Sequence, residues 1–255
     1  MSNSMVNIKD LHKSFDDNVV LDGISLNVEN GQNMIVFGRS GTGKSVLLKC
    51  LIRLMEPDSG EIYVEGKDVL DLDRDELNDL RKNIGFLFQS AALYDSMSVR
   101  ENLEFPLIRN FKLEQKEIDE RVHSVLDAVD LLDAIDKMPA ELSGGMKKRI
   151  GLARSIITKP KLMLYDEPTT GLDPITSKEI STLILNLQKA YNMTSIVVTH
   201  DLLCAKIIAD CAIVLNEGHI VREGTIKDFL EDDDPFLKNF FSDEVINKNG
   251  SEPNV

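Results

Sequence analysis

The residues best suited to chemistry form one short run, Gly38-Arg39-Ser40-Gly41-Thr42-Gly43-Lys44-Ser45. Glycines at 38, 41 and 43 let the backbone turn tightly with its N–H groups facing inward, which suits an anion. Lys44 can neutralise the β- and γ-phosphates of a nucleoside triphosphate, and the Ser45 hydroxyl can ligate Mg²⁺. Such a loop needs a strand before it and a helix behind it. Met34-Ile35-Val36-Phe37 reads as a buried strand, and residues 46–52 read as a helix whose dipole aims its positive end at the loop. The plain alternative is a glycine-rich turn before a helix; the flanking context favours the phosphate loop.

Further candidates close three apolar runs. Leu162-Met163-Leu164-Tyr165 leads straight into Asp166-Glu167. A buried strand rarely ends in two carboxylates unless they meet a cation. Asp166 therefore fits a Mg²⁺ holder, and Glu167 a general base that orients the water attacking a γ-phosphate. Taken alone, the pair also reads as a surface turn. Gln89 follows Ile84-Gly85-Phe86-Leu87-Phe88, and its side-chain oxygen can complete a Mg²⁺ shell. His200 follows Thr194-Ser195-Ile196-Val197-Val198-Thr199 and can bridge the γ-phosphate and the attacking water. Parallel strands would bring Gln89, Asp166, Glu167 and His200 to the edge where the loop at 38–45 opens, which is where such sheets bind ligands.

Leu142-Ser143-Gly144-Gly145-Met146 is a second glycine-rich element, ahead of a helix expected over 147–158. The Ser143 hydroxyl, the N–H groups of Gly144 and Gly145 and the helix end make another anion site. One nucleotide has little use for two such helix ends from one chain. A head-to-tail pair of chains uses both, each loop closing on the other's Ser143. An N-capped helix after a glycine turn is the simpler alternative.

The elements that must position these residues follow from hydropathy patterning. Residues 5–30 read as short strands with turns and residues 61–66 as a hairpin strand, a small antiparallel layer beside a parallel core. Residues 73–82 read as a charged helix. From 90 to about 159 the pattern turns helical, with Ile118, Val122, Val125, Leu126 and Val129 on one face. That stretch lies between core strands and reads as an inserted helical subdomain. A helix over 175–190 and a hairpin around Asn216-Glu217-Gly218 follow. Strands separated by helices imply a parallel sheet. The acidic run Glu231-Asp232-Asp233-Asp234-Pro235 reads as a solvated turn, and the polar tail from about Asn247 as frayed.

Composition bounds the answer. At 255 residues and 42% hydrophobic, the chain suits one large α/β domain or a core with an insertion. Its 29 basic and 43 acidic side chains leave a net charge of −14, which disfavours general nucleic-acid binding. Cys50, Cys204 and Cys211 lie in apolar segments without metal spacing and read as small buried hydrophobes. The first ten residues lack the apolar segment of a leader, and no apolar run approaches the ~20 residues of a membrane span. A cytoplasmic protein is expected, with any membrane role exercised through a partner.

Taken together, these residues resemble the nucleotide-binding domain of ATP-binding-cassette (ABC) proteins over about residues 5–225. The resemblance implies a P-loop NTPase fold with a parallel core sheet, an antiparallel β subdomain and an inserted helical subdomain. It assigns Phe15 as an aromatic base stacker and residues 38–45 as the Walker A loop. Gln89 becomes the Q-loop residue, residues 142–146 the signature, Asp166 and Glu167 the Walker B pair, Asp173 the D-loop residue and His200 the switch. Met146 stands where Gln is more usual. The implied organisation is an ATPase domain over 5–235, its helical subdomain at about 90–159, and a partly flexible C-terminal extension over 236–255. ATP with Mg²⁺ is the implied ligand, a second copy the implied partner, and ATP hydrolysis coupled to transport the implied activity.

Three stretches narrow the resemblance. Val46 stands where ABC ATPases commonly carry Thr; Met146 is followed by Lys147-Lys148-Arg149; and the run from Phe88 through Gln89-Ser90-Ala91-Ala92-Leu93-Tyr94 to Asn102 departs from the commonest form. All three look like the ATPase subunit of Mce-type (Mla-like) bacterial lipid transporters. That likeness implies an ATPase dimer on the cytoplasmic face of the inner membrane. It would drive an integral-membrane permease, with residues 90–107 passing the movement, while an Mce-type protein carries phospholipid between inner and outer membranes. Phe236, Phe240 and Phe241 are then candidates to contact the other ATPase subunit, with packing on their own chain the alternative. An importer ATPase for amino acids or other small solutes is the runner-up. A DNA-repair or translation ATPase would usually show a coiled-coil insertion, a zinc motif or tandem cassettes, and a small-molecule kinase has no use for residues 142–146 or His200. Lys44→Ala should lose ATP affinity in an equilibrium binding titration; unchanged affinity would mean the loop is misread.

Overall fold

The computed structural model describes residues 4–240 except Phe236. Phe236, Phe241 and the tail from Asn247, singled out above, lie outside the described residues. In chain order, β1 (Ser4–Phe15) and β2 (Asn18–Glu29) precede β3 (Asn33–Phe37) and α1 (Lys44–Leu51). Then come β4 (Ser59–Val64), β5 (Lys67–Asp68), α2 (Arg74–Lys82) and β6 (Ile84–Leu87). Next in the chain are α3 (Val99–Asn110), α4 (Gln115–Ala128) and α5 (Gly144–Ile156). β7 (Leu162–Asp166), α6 (Pro174–Tyr191), β8 (Thr194–Val198) and α7 (Leu202–Ile208) rebuild the core, and β9 (Cys211–Asn216), β10 (His219–Gly224) and α8 (Ile226–Glu231) close it.

Two sheets result. The smaller is antiparallel, in the order β2-β1-β4-β5. The larger runs β10-β9-β3-β8-β7-β6, parallel from β9 through β6, with β10 antiparallel at one edge. Strand alternation explains why the parallel strands are apolar throughout. On β7, Leu162 and Leu164 enter one core with Met34, Val36, Ile196, α1 and the small sheet, whereas Met163 and Tyr165 enter a second core with α3 to α7. Both faces are covered, so no polar face remains to alternate.

The register aligns the strand ends. Val198 pairs with Val36 on one side and Asp166 on the other, and Leu87 pairs with Tyr165. The residues that follow these strands therefore emerge along one edge.

Several boundaries differ from the sequence reading. Each of the first two strands is 12 residues long, with only Asp16 and Asp17 between them. Residues 90–98 are irregular, and α3 starts only where Ser98 and Glu101 form a reciprocal capping box. α5 starts at Gly144 rather than 147 because Ser143 already accepts from the Met146 N–H, which makes the two glycines the helix's first turn. α1 likewise begins at Lys44, with Leu47 N–H bonding Gly43 O at 2.9 Å.

Leu164, fully buried between α1 and the small sheet's core, tests this packing. Leu164→Ala should cost about 2–5 kcal/mol in denaturant unfolding, far more than truncating Leu132, which is 42% exposed.

Candidate functional site

The loop after β3 owes its shape to close approaches. A Cβ on Gly43, whose φ is +94°, would lie 2.7 Å from the carbonyl oxygen of Val20 on β2. A Cβ on Gly38 would lie 2.7 Å from the carbonyl of Leu215 on β9. Neither position has room for a side chain, so the loop is pressed against both sheets. Inside it, Lys44 Nζ donates to Gly38 O at 2.7 Å and Arg39 O at 3.0 Å, and Thr42 Oγ1 donates to Arg39 O at 2.9 Å.

Arg39, Ser40, Gly41, Gly43, Lys44, Ser45 and Val46 line a cleft of about 670 Å³ at the strand-end edge. Gln89, Glu167 and His200 face it from β6, β7 and β8. Asp166 joins through Ser45, whose Oγ donates to Asp166 Oδ1 at 2.7 Å. The residues that the sequence placed at four separate strand ends thus share one site.

Glu167 is its centre. Its φ is +51°, and its N–H donates to Val198 O at 2.9 Å, which turns the side chain off the strand direction. Oε2 meets His200 Nδ1 at 2.8 Å and accepts from Thr170 Oγ1 at 3.1 Å; Oε1 lies 3.5 Å from Lys44 Nζ. Burial opposes ionisation, but His200, Lys44 and Thr170 outweigh it and hold the carboxyl below its ordinary range. An ionised, firmly held carboxylate can orient and polarise a water while remaining a modest proton acceptor.

Five expected residues, Ser143, Gly144, Gly145, Asp173 and Phe15, lie elsewhere. Ser143 caps α5 outside the cleft, and the turn it begins rests on the next segment: a Cβ on Gly145 would lie 3.0 Å from Thr176. Gly144 belongs to the same exposed turn. Asp173 caps α6 beside it, accepting from the N–H groups of Ile175 and Thr176 at 3.0 Å. Phe15, at the end of β1, is 41% exposed with Lys13 Nζ 5.4 Å from its ring, and it is not among the cleft-lining residues.

The ABC transporter family matches residues 21–170. This chain belongs to the ABC transporter family. It is an ATP-binding subunit of an ABC transporter and an ATPase. The chain is 38% identical over 244 residues to the intermembrane phospholipid transport system ATP-binding protein MlaF of Haemophilus influenzae, covering 96% of this chain and 92% of that one. It is 40% identical over 225 residues to the methionine import ATP-binding protein MetN of Rhizobium johnstonii, covering 88% and 62%. Among solved structures, a dimeric ATP-binding cassette in a post-hydrolysis state with ADP and Pi superposes with a TM-score of 0.80 at 32% identity, covering 87% of this chain and 99% of that one.

In this ABC ATPase the structure also brings in residues that sequence reasoning passed over. Among them are Val20 and Thr170, which line the cleft; Phe240, expected either at the other subunit or on its own chain, packs on its own chain, lining the cleft edge-on against Phe37 at a centroid distance of 6.2 Å and only 3% exposed. Lys148, in the run Lys147-Lys148-Arg149, is 6% exposed; its Nζ donates to Gln89 O at 2.6 Å and Glu167 O at 3.2 Å. Burial pushes its ammonium down to about 8, against the pull of Glu167 and Asp166. A lysine three places beyond two glycines carries no sequence signal for such a contact. Among the described residues, no helix is long and apolar enough to cross a membrane.

Proposed function

We propose that this chain is the ATPase of a phospholipid transporter, acting as a head-to-tail dimer on the cytoplasmic face of an inner membrane. Its partners are an integral-membrane permease and an Mce-type lipid carrier. The observation that carries the lipid assignment is the likeness to MlaF across 96% of the chain, joined by Val46 in the cleft and Met146 in the signature turn. Methionine or another small solute is the second reading, favoured by the comparable likeness to MetN. The ATPase domain spans 5–235 with its helical subdomain at about 90–159, and residues 236–255 form an extension of which Leu237 and Phe240 pack into the core.

The assigned roles follow from the site. On binding, the β- and γ-phosphates take Lys44 from the carbonyls of Gly38 and Arg39, while the loop N–H groups of residues 38–45 receive the remaining phosphate oxygens. The Ser45 hydroxyl, the Asp166 carboxylate and the Gln89 amide are hard oxygen donors that fit Mg²⁺, which accompanies ATP and draws charge from the phosphate oxygens. Glu167 orients the attacking water, His200 bridges that water and the γ-phosphate, and Val46 shapes the wall beside them. Phe15 offers an exposed face for the base. Ser143 and Gly144, exposed, and the half-buried Gly145 stand outside their own cleft, beside the segment that carries Asp173 and Ile175, which is 74% exposed. A second copy brings them onto the γ-phosphate and buries that patch.

Glu167→Gln should keep ATP binding, trap a nucleotide-bound dimer in size-exclusion chromatography and slow steady-state hydrolysis by roughly a hundredfold or more. Normal turnover in that variant would remove Glu167 from the reaction. For the cargo, the tagged chain should co-purify from its native membranes with a permease bearing phospholipid, and phospholipid should stimulate its ATPase. Stimulation instead by methionine with a solute-binding protein would replace the lipid assignment.

A further inference from the structure

Among the described residues, one buried cation, Lys148, has no part in these roles. Lys148 sits in α5 at the point where β6 and β7 end, and its ammonium bonds two backbone carbonyls rather than a carboxylate. A methylene chain of that length packs there without a charge, and burying an ammonium is costly, so the charge itself needs a reason. The two acceptors supply one. Gln89 O and Glu167 O belong to the very residues that face the cleft from adjacent strands, and Glu167 stands in the left-handed backbone region. With its N–H given to Val198 on β8 and its O to Lys148 on α5, the Glu167 peptide frame is gripped from both sides.

We propose that Lys148 is a positioning residue for hydrolysis. Its ammonium ties the backbones of Gln89 and Glu167 to α5, so that the helix capped by Ser143 and the water-orienting carboxylate move as one body. Lys148 and Ser143 lie little more than one turn apart on the same helix, within about 8 Å along its axis. The α5 end that meets the partner's nucleotide therefore governs the carboxylate of its own cleft. Seating of Ser143 in one site sets Glu167 in the other, and the two sites of the dimer are coupled through this bond pair. The inference rests on the roles given to Glu167 and Ser143 above.

The test is steady-state and binding measurements on the full chain, with ATP and Mg²⁺, for Lys148→Met, Lys148→Arg and Glu167→Gln, alone and combined. Lys148→Met should lower kcat by roughly a hundredfold, the scale of a small misplacement at a reacting centre, while ATP Kd changes by less than about threefold. It should also flatten the cooperativity of hydrolysis with ATP. Lys148→Arg, which keeps the charge and the donors, should recover most of kcat. In the Glu167→Gln background, Lys148→Met should slow the residual rate by less than about twofold, because the two residues act as a unit. If Lys148→Met does not fold, the same comparison is read between Lys148→Arg and Lys148→Gln, which keeps donors but loses the charge. A kcat within about twofold of the parent for Lys148→Met (or Lys148→Gln), a full extra loss on top of Glu167→Gln, or a matching rise in ATP Kd overturns the inference. Normal turnover of Glu167→Gln alone would instead overturn the underlying assignment of Glu167, so the two failures are distinguishable.

Discussion

Charge kept away from water is the constraint around which this structure is arranged. Lys44 and Lys148 are each 6% exposed and Asp166 is 7% exposed, and the Glu167 side chain is 12% exposed. An ion left unpaired in such surroundings costs several kcal/mol. Each therefore has dedicated partners: the carbonyls of its own P-loop for Lys44, Ser45 for Asp166, His200 and Thr170 for Glu167, and two strand-end carbonyls for Lys148. No single element could provide these partners. The pairing demands that four strand ends, a loop and a helix converge, and the fold is the scaffold that makes them do so.

The convergence is rigid because the central sheet is buried on both faces. Alternate side chains of β3, β7 and β8 feed two separate cores, so a shift of register would displace both at once. The strand ends inherit that rigidity. By contrast, the residues that face outward, Ser143, Asp173 and Ile175, lie at the exposed starts of α5 and α6, where a neighbouring copy can reach them.

Much of this was legible in the sequence. The glycine spacing of the P-loop, and the polar residues closing three apolar runs, named Lys44, Ser45, Gln89, Asp166, Glu167 and His200 before any geometry was known. Their signals are local: a run of buried residues followed by a charge is visible in a line of text. What stayed hidden depends on three-dimensional register. Lys148 reads as one of several cations in Lys147-Lys148-Arg149, and only the facing of α5 turns it inward while Lys147 is more exposed. Phe240 lies far along the chain from Phe37, and no spacing links them. The starts of α1 and α5 differ from the sequence reading because Ser45, Gly144 and Gly145 carry weak helix signals; α1 begins directly after Gly43, which offers no side-chain cap, whereas the Ser143 side chain caps α5. The stretch 90–98 looked helical by composition, yet Ala91 and Ala92 take positive φ values of 60° and 49° there.

The P-loop lysine is already satisfied by its own loop. Any incoming anion has to displace two charge-assisted bonds at 2.7 and 3.0 Å before it gains the ammonium. A single phosphate offers little more than it takes away, whereas adjacent phosphates with a cation between them offer several contacts at once. An anion that replaces both carbonyls must itself offer the ammonium more than one acceptor.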